Sequence, residues 1–160
     1  MTFDNSKSII GLRIKLFGAT VIFLGYLLIA YAARLIKFPL LGMEETGWTV
    51  IIATVYVIIV FIPMVLNYQY IYYSDDGNNL VFRYFTSGIF GGKKNSIEIN
   101  KMTFSGFTIE KRLFGLIQSI ILYQNLKEGK AQYPPIYISA LTRKEKAKVT
   151  RSLNSFTPRK

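Results

Sequence analysis

The chain has 160 residues, with 20 Lys and Arg against 9 Asp and Glu, a net charge of +11, and neither cysteine nor histidine. That composition excludes disulfides, thiol nucleophiles, cysteine–histidine zinc sites and histidine acid–base chemistry. About half of the residues are hydrophobic and they are unevenly spread, so the length leaves room for one soluble domain beside any membrane part.

Residues 1–15 form a short basic segment, Lys7, Arg13 and Lys15 against Asp4. The run Leu16–Ala33 then holds 18 residues without a charge, and it predicts a first transmembrane helix over 16–36. A short outer link, 37–47, leads to Trp48–Leu66, 19 uncharged residues that predict a second helix over 48–66. At 1.5 Å per residue each run spans roughly 27–29 Å, close to the ~30 Å hydrocarbon core of a bilayer. Pro63 predicts a bend in the second helix. Neither run contains an Asp, Glu, Lys or Arg, so no proton relay or ion path is expected within them. Gly18 and Gly25 offer small-residue contact points, though not at G-x-x-x-G spacing.

Basic residues followed by an apolar run ending in Ala30-Tyr31-Ala32 partly match a cleavable signal peptide. The run is long for that role and IKFPLL is not the start of a mature domain, so the segment reads as a retained anchor. Positive charge collects on both tails, 15 basic and 6 acidic residues lying in 67–160, which predicts both termini in the cytoplasm.

Beyond Leu66 the pattern alternates. NYQYIYY (67–73) predicts a strand with Tyr68, Tyr70 and Tyr72 on one face, SDDGNN (74–79) a turn, and LVFRYF (80–85) the returning strand. SIEIN follows, then MTFSGFTIEK (102–111) with a bulge at Gly106, then LIQSIILYQNL (116–126). LKEGK (126–130) reads as a turn and PPIYISAL (134–141) as an extended last strand, in which Pro134-Pro135 marks an edge or a strand start. Thr142 and Glu145 match a capping box, and Val149, Leu153 and Phe156 make one apolar stripe on a closing helix, 142–156. The fold class is therefore α+β: a two-helix transmembrane hairpin, then a mainly antiparallel β domain (67–160) of about seven strands with a C-terminal amphipathic helix.

That order resembles the bacterial pleckstrin-homology-like (bPH) domain membrane proteins. The likeness rests on a hairpin leaving the membrane, on YFTSGIFGGKKNSIEINKM (84–102) and on ISALTRKEKAKVTRSLNSF (138–156). It implies two nearly orthogonal antiparallel sheets capped at one open end by the helix. It also implies a bacterial inner-membrane location, and contact with proteins or lipid rather than chemistry.

The stretch TSGIFGGKKNSIEI (86–99) has the look of a phosphate loop but not its parts. Three residues separate Gly88 from Gly92 where four are needed, Lys94 stands in place of the hydroxyl, and strands flank it on both sides. It reads as a hairpin turn in which Gly91-Gly92 supply positive φ. Lys93 and Lys94, with Lys111 and Arg112 in another loop, are candidate contacts for anionic lipid or an acidic partner. Trp48, Tyr68, Tyr70 and Tyr72 are candidate anchors at the membrane interface. Asp75-Asp76 and Glu44-Glu45 lack a second cluster that would complete a metal or glycosidase site. No catalytic residue, cofactor or metal is expected, and nucleic acid is not an expected partner. Membrane lipids and a protein partner are, with an accessory subunit of a larger membrane complex as the type. A component of a membrane-bound enzyme or transport system is the alternative.

Overall fold

The computed structural model describes residues 1–87, 92–127 and 129–158. It is an α+β structure in two compact units: Ile10–Pro63, and Met1–Ile9 together with Met64–Lys160.

The helical unit is built from α1 (Ser6–Leu27), continued by a π-helical turn at Leu28–Ala32, and α2 (Glu45–Val65). α1 thus begins ten residues ahead of position 16, where the uncharged run starts. Lys7, Arg13 and Lys15 favour helix about as well as leucine does, so charge marks the edge of a hydrophobic stretch and not the edge of a helix. Asp4 accepts the backbone amide of Ser6 at 2.9 Å and so marks the helix entry. Pro63 stands in the last turn of α2. Polar side chains bridge the two helices, Thr20 to the Tyr56 hydroxyl at 3.1 Å and Thr49 to Tyr26 at 2.9 Å, while Phe23 stacks on Tyr56 at 4.6 Å. Gly18 and Gly25 face open space. Both helices, 27 and 21 residues with the π turn included, are long and apolar enough to cross a membrane. Only 6 % of each apolar stretch is buried by protein.

Among the described residues the β unit holds eight strands where about seven were expected. One strand lies outside the expected β domain: β1 (Thr2–Asp4), at the opposite end of the sequence. It pairs antiparallel with β2 (Gln69–Ser74), in register from Thr2↔Ser74 to Asp4↔Tyr72. Three residues are too few to show an alternation, and the partner lies more than sixty residues away, so nothing local announces it. β3 (Asn79–Thr86) and β4 (Asn95–Asn100) complete a four-stranded sheet in the order β1-β2-β3-β4.

The second sheet is β5 (Phe104–Arg112), β6 (Ile117–Leu126), β7 (Gly129–Gln132) and β8 (Ile136–Tyr137), with β7 and β8 both paired to β6. The β5 register shifts between Phe104 and Gly106, as the glycine foretold, and Gly106 takes φ +132°. β7 begins inside the stretch read as a turn, since Leu126 pairs with Gly129 and the connection is only two residues long. Glu128 of that turn lies outside the described residues. The expected strand over 134–141 shrinks to two residues, because Pro134 and Pro135 have no N–H and the chain turns at Ile138–Leu141.

Both sheets and α3 (Arg143–Phe156) supply one core, including Ile71, Tyr73, Leu80, Phe82, Ile99, Ile120, Leu122, Ile136, Val149 and Leu153. In β2 the inward face is therefore Gln69, Ile71 and Tyr73, leaving Tyr70 and Tyr72 on the other. Gln69 ties the sheets together, its Oε1 accepting the Tyr137 amide at 3.0 Å. The capping box at Thr142 is present with both reciprocal bonds.

Candidate functional site

The β2–β3 turn and the start of the chain converge on α3. Gly77 takes φ +72°, which lets Ser74-Asp75-Asp76 close the hairpin and turn both carboxylates toward β1. Asp75 accepts hydrogen bonds from the Met1 ammonium and from the Ser152 hydroxyl on α3. Asp76 accepts from the same ammonium at 2.8 Å and from the Thr2 hydroxyl. Burial works to raise the Asp75 carboxyl, but the bonds from the ammonium and Ser152 outweigh it and hold the group below its ordinary range. The ammonium and Thr2 hold Asp76 down to about 2. Ser152 also meets the Tyr73 hydroxyl at 2.7 Å, so a buried tyrosine, a serine and a carboxylate form one continuous run of hydrogen bonds.

An open cleft of ≈ 370 Å³ lies here, between Met1–Phe3 and Asp75 on one side and Lys148, Arg151, Ser152 and Ser155 of α3 on the other. β1 is the outermost strand of its sheet, so one row of its backbone groups has no strand partner among the described residues. Phe3 gives the cleft an apolar wall, and Lys148 and Arg151 give it exposed cations. Ser152 is engaged by Tyr73 and Asp75, and the chain has no histidine to activate it.

Of the cations singled out by sequence, Lys93 and Lys94 are exposed ahead of β4, beside residues 88–91, which lie outside the described residues. Gly88 and Gly91 fall in that excluded stretch. Gly92 does not take positive φ. Its need for glycine is steric, because an added Cβ would stand 2.8 Å from the Thr86 backbone nitrogen. Lys111 and Arg112 end β5 rather than occupying a loop, and Arg112 pairs with Glu110 at 3.1 Å. The two basic pairs thus belong to different sheets. Lys146 of α3 joins the second pair: burial first, then the nearness of Lys111, lowers its ammonium, which donates to Gln118 Oε1 at 3.0 Å.

Among the aromatics, Trp48 stands in the first turn of α2 and donates to the Leu40 carbonyl at 3.0 Å. Tyr68 precedes β2 and is half-buried. Tyr70 stacks on Phe85 at 4.8 Å, and Arg83 lies over Tyr72 at 5.9 Å, so both tyrosines are engaged by cross-strand partners on the face away from the core.

Sequence reasoning missed β1, Asn5, Lys101 and Ser152. Asn5 is fully buried and Ser152 nearly so, and Lys101 donates to the Asp75 and Gly77 carbonyls. Each acts through a partner far away in sequence, and no spacing rule reports that. No family model, curated protein or solved structure matches the chain.

Proposed function

We propose that this chain is a non-enzymatic integral membrane protein of the bacterial inner membrane. Its helical hairpin anchors a basic pleckstrin-homology-like domain that engages the membrane surface or a protein partner, in the manner of an accessory subunit. The observation that carries this reading is the exposure of the helices. Phe17, Ile22, Leu24, Val50 and Phe61 are all more than half exposed, and protein buries only 6 % of either apolar stretch. Apolar surface of that extent is unstable in water and stable in lipid.

The pairing of β1 with β2 supports the topology. The two strands flank the helical unit in sequence and share one sheet, which requires an even number of crossings between them. Charge on the tails then favours the cytoplasmic side. Two antiparallel sheets followed by a helix support the PH-like reading, and the cleft beside β1 supports docking of an extended partner.

The chain has no cysteine, so single introduced cysteines report sidedness cleanly. In intact cells an impermeant maleimide is expected to label K37C in the link and to reach E98C on β4 only after permeabilisation. The reverse pattern overturns the orientation. Release of the wild-type chain from membranes by alkaline carbonate overturns the integral reading.

A further inference from the structure

The β5–β6 connection does not have the composition its position calls for. Pairing runs to Arg112↔Ile117, leaving Leu113-Phe114-Gly115-Leu116 as the hairpin end. Leu113, Phe114 and Gly115 take φ +47°, +53° and +87° in succession. Left-handed backbone is routine for Gly and tolerated by Asn and Asp, whereas Leu and Phe are strained in it. The turn is nonetheless closed, by Leu116 N–H to the Leu113 carbonyl and by Gln118 Nε2 to the Gly115 carbonyl, both at 3.0 Å. Its product is an apolar tip in solvent: Phe114 is fully exposed at 109 %, with Leu113 and Leu116 more than half exposed beside it.

Cations stand on one side of this tip, on β5 and α3. Lys111 and Arg112 precede it on β5 and are exposed. Gln118, whose amide nitrogen holds the turn at Gly115, takes the Lys146 ammonium on its other atom, which brings an α3 cation alongside. Glu110 is paired with Arg112, and Glu145 is engaged in the helix cap.

We propose that Leu113–Leu116 is a lipid-inserting finger. It buries Phe114, Leu113 and Leu116 in the headgroup–acyl boundary of an anionic bilayer while Lys111, Arg112 and Lys146 meet the headgroup phosphates. A four-residue projection offers far less area than the ~800 Å² per partner of a standard protein interface, but it is shaped to enter a soft boundary. The adjoining cations complement anionic lipid in the same place. The proposal rests on the reading of the chain as membrane-anchored.

The test uses the full-length chain carrying W48F and F114W, so that position 114 holds its single indole. The protein is reconstituted into vesicles of phosphatidylcholine, with or without phosphatidylglycerol, and with normal or brominated acyl chains. The expected result is emission shifted to the blue, quenched by brominated chains and shielded from acrylamide, more strongly when phosphatidylglycerol is present. K111Q is expected to lower the ratio of inserted to withdrawn tip by about fivefold, and R112Q, which removes a cation already paired with Glu110, by less.

Protein that floats with alkaline-washed vesicles but keeps an acrylamide-accessible, red-shifted indole overturns the finger and leaves the anchored reading intact. A blue-shifted indole that brominated lipid does not quench points to protein contact, and overturns it too. Protein that does not float defeats the anchored reading, and the finger with it.

Discussion

The side-chain oxygen of Asn5 accepts the backbone amide of Ile71 at 2.8 Å, across 66 positions of sequence. The amide of the same side chain donates to the Gln69 carbonyl at 2.9 Å, and Asn5 itself is fully buried. One carboxamide thus prolongs the β1–β2 ladder past the point where the chain turns into α1. Its removal leaves a buried donor and a buried acceptor unpaired, each worth about 1–3 kcal/mol. N5A is therefore expected to destabilise the β unit by roughly 2–6 kcal/mol. The denaturant midpoint of the detergent-solubilised protein reads this, together with lost exchange protection at the Ile71 amide. A wild-type midpoint in N5A would show that β1 is dispensable.

This bond also marks where the sequence stopped being informative. Alternation located β2 to β6 well, because period-two patterning is local. It could not say which face of β2 is buried, since tyrosines stand on both faces and only Ile71 breaks the tie. β7 is Gly-Lys-Ala-Gln, a poor strand former held by the continuing edge of β6. Strand ends at 111 and 116 imply a connection there, but not its apolar character, because turn signals are sought among Gly, Asn and Asp and three of the four residues of Leu113–Leu116 are apolar. The capping box, by contrast, depends on residues three apart, and it was legible in full.

Tyr73 makes a pH prediction. Burial, opposed in part by the Ser152 hydrogen bond, pushes its hydroxyl up to about 12 from an unfolded value near 10. The folded state thus favours the neutral phenol. The resulting stabilisation, about 2–3 kcal/mol, is complete below pH 10 and is lost as pH rises through about 12. Stability measured by near-UV circular dichroism is expected to fall across that window. Y73F is expected to be about 1 kcal/mol less stable at neutral pH, having lost the bond to Ser152, but to show a shallower alkaline decline. Equal slopes for the two proteins would assign the alkaline transition to another group.

Gly92 separates a steric role from a phosphate-binding one. An added Cβ would stand 2.8 Å from both the nitrogen and the Cβ of Thr86. G92A is expected to cost about 1–3 kcal/mol, as overpacking does. Pairing it with T86A should recover little, because the backbone nitrogen stays where it was. G77A differs in kind: its Cβ meets open space, but φ +72° is strained for alanine, at about 1 kcal/mol. Full recovery in G92A/T86A would place the conflict in the side chain instead.

Lys101 belongs to the exposed charge of the domain by composition and to its framework by geometry. Its ammonium donates to the Asp75 carbonyl at 2.5 Å and the Gly77 carbonyl at 2.7 Å, and it stands 4.6 Å from the centre of the Phe156 ring. One cation therefore holds both the β2–β3 turn and the last turn of α3. K101M keeps the aliphatic stem and removes those bonds, with an expected loss of about 1–2 kcal/mol, the lower part of the range for charged hydrogen bonds because the site is only half-buried. Arginine has the charge for Phe156 but not the compact head that fits between two carbonyls, so K101R should fall between wild type and K101M. The K101M/F156L double-mutant cycle is expected to return a coupling of about 0.5–1 kcal/mol. Strict additivity would mean that the cation holds the turn alone, and that α3 is kept in place by Val149, Leu153 and its cap.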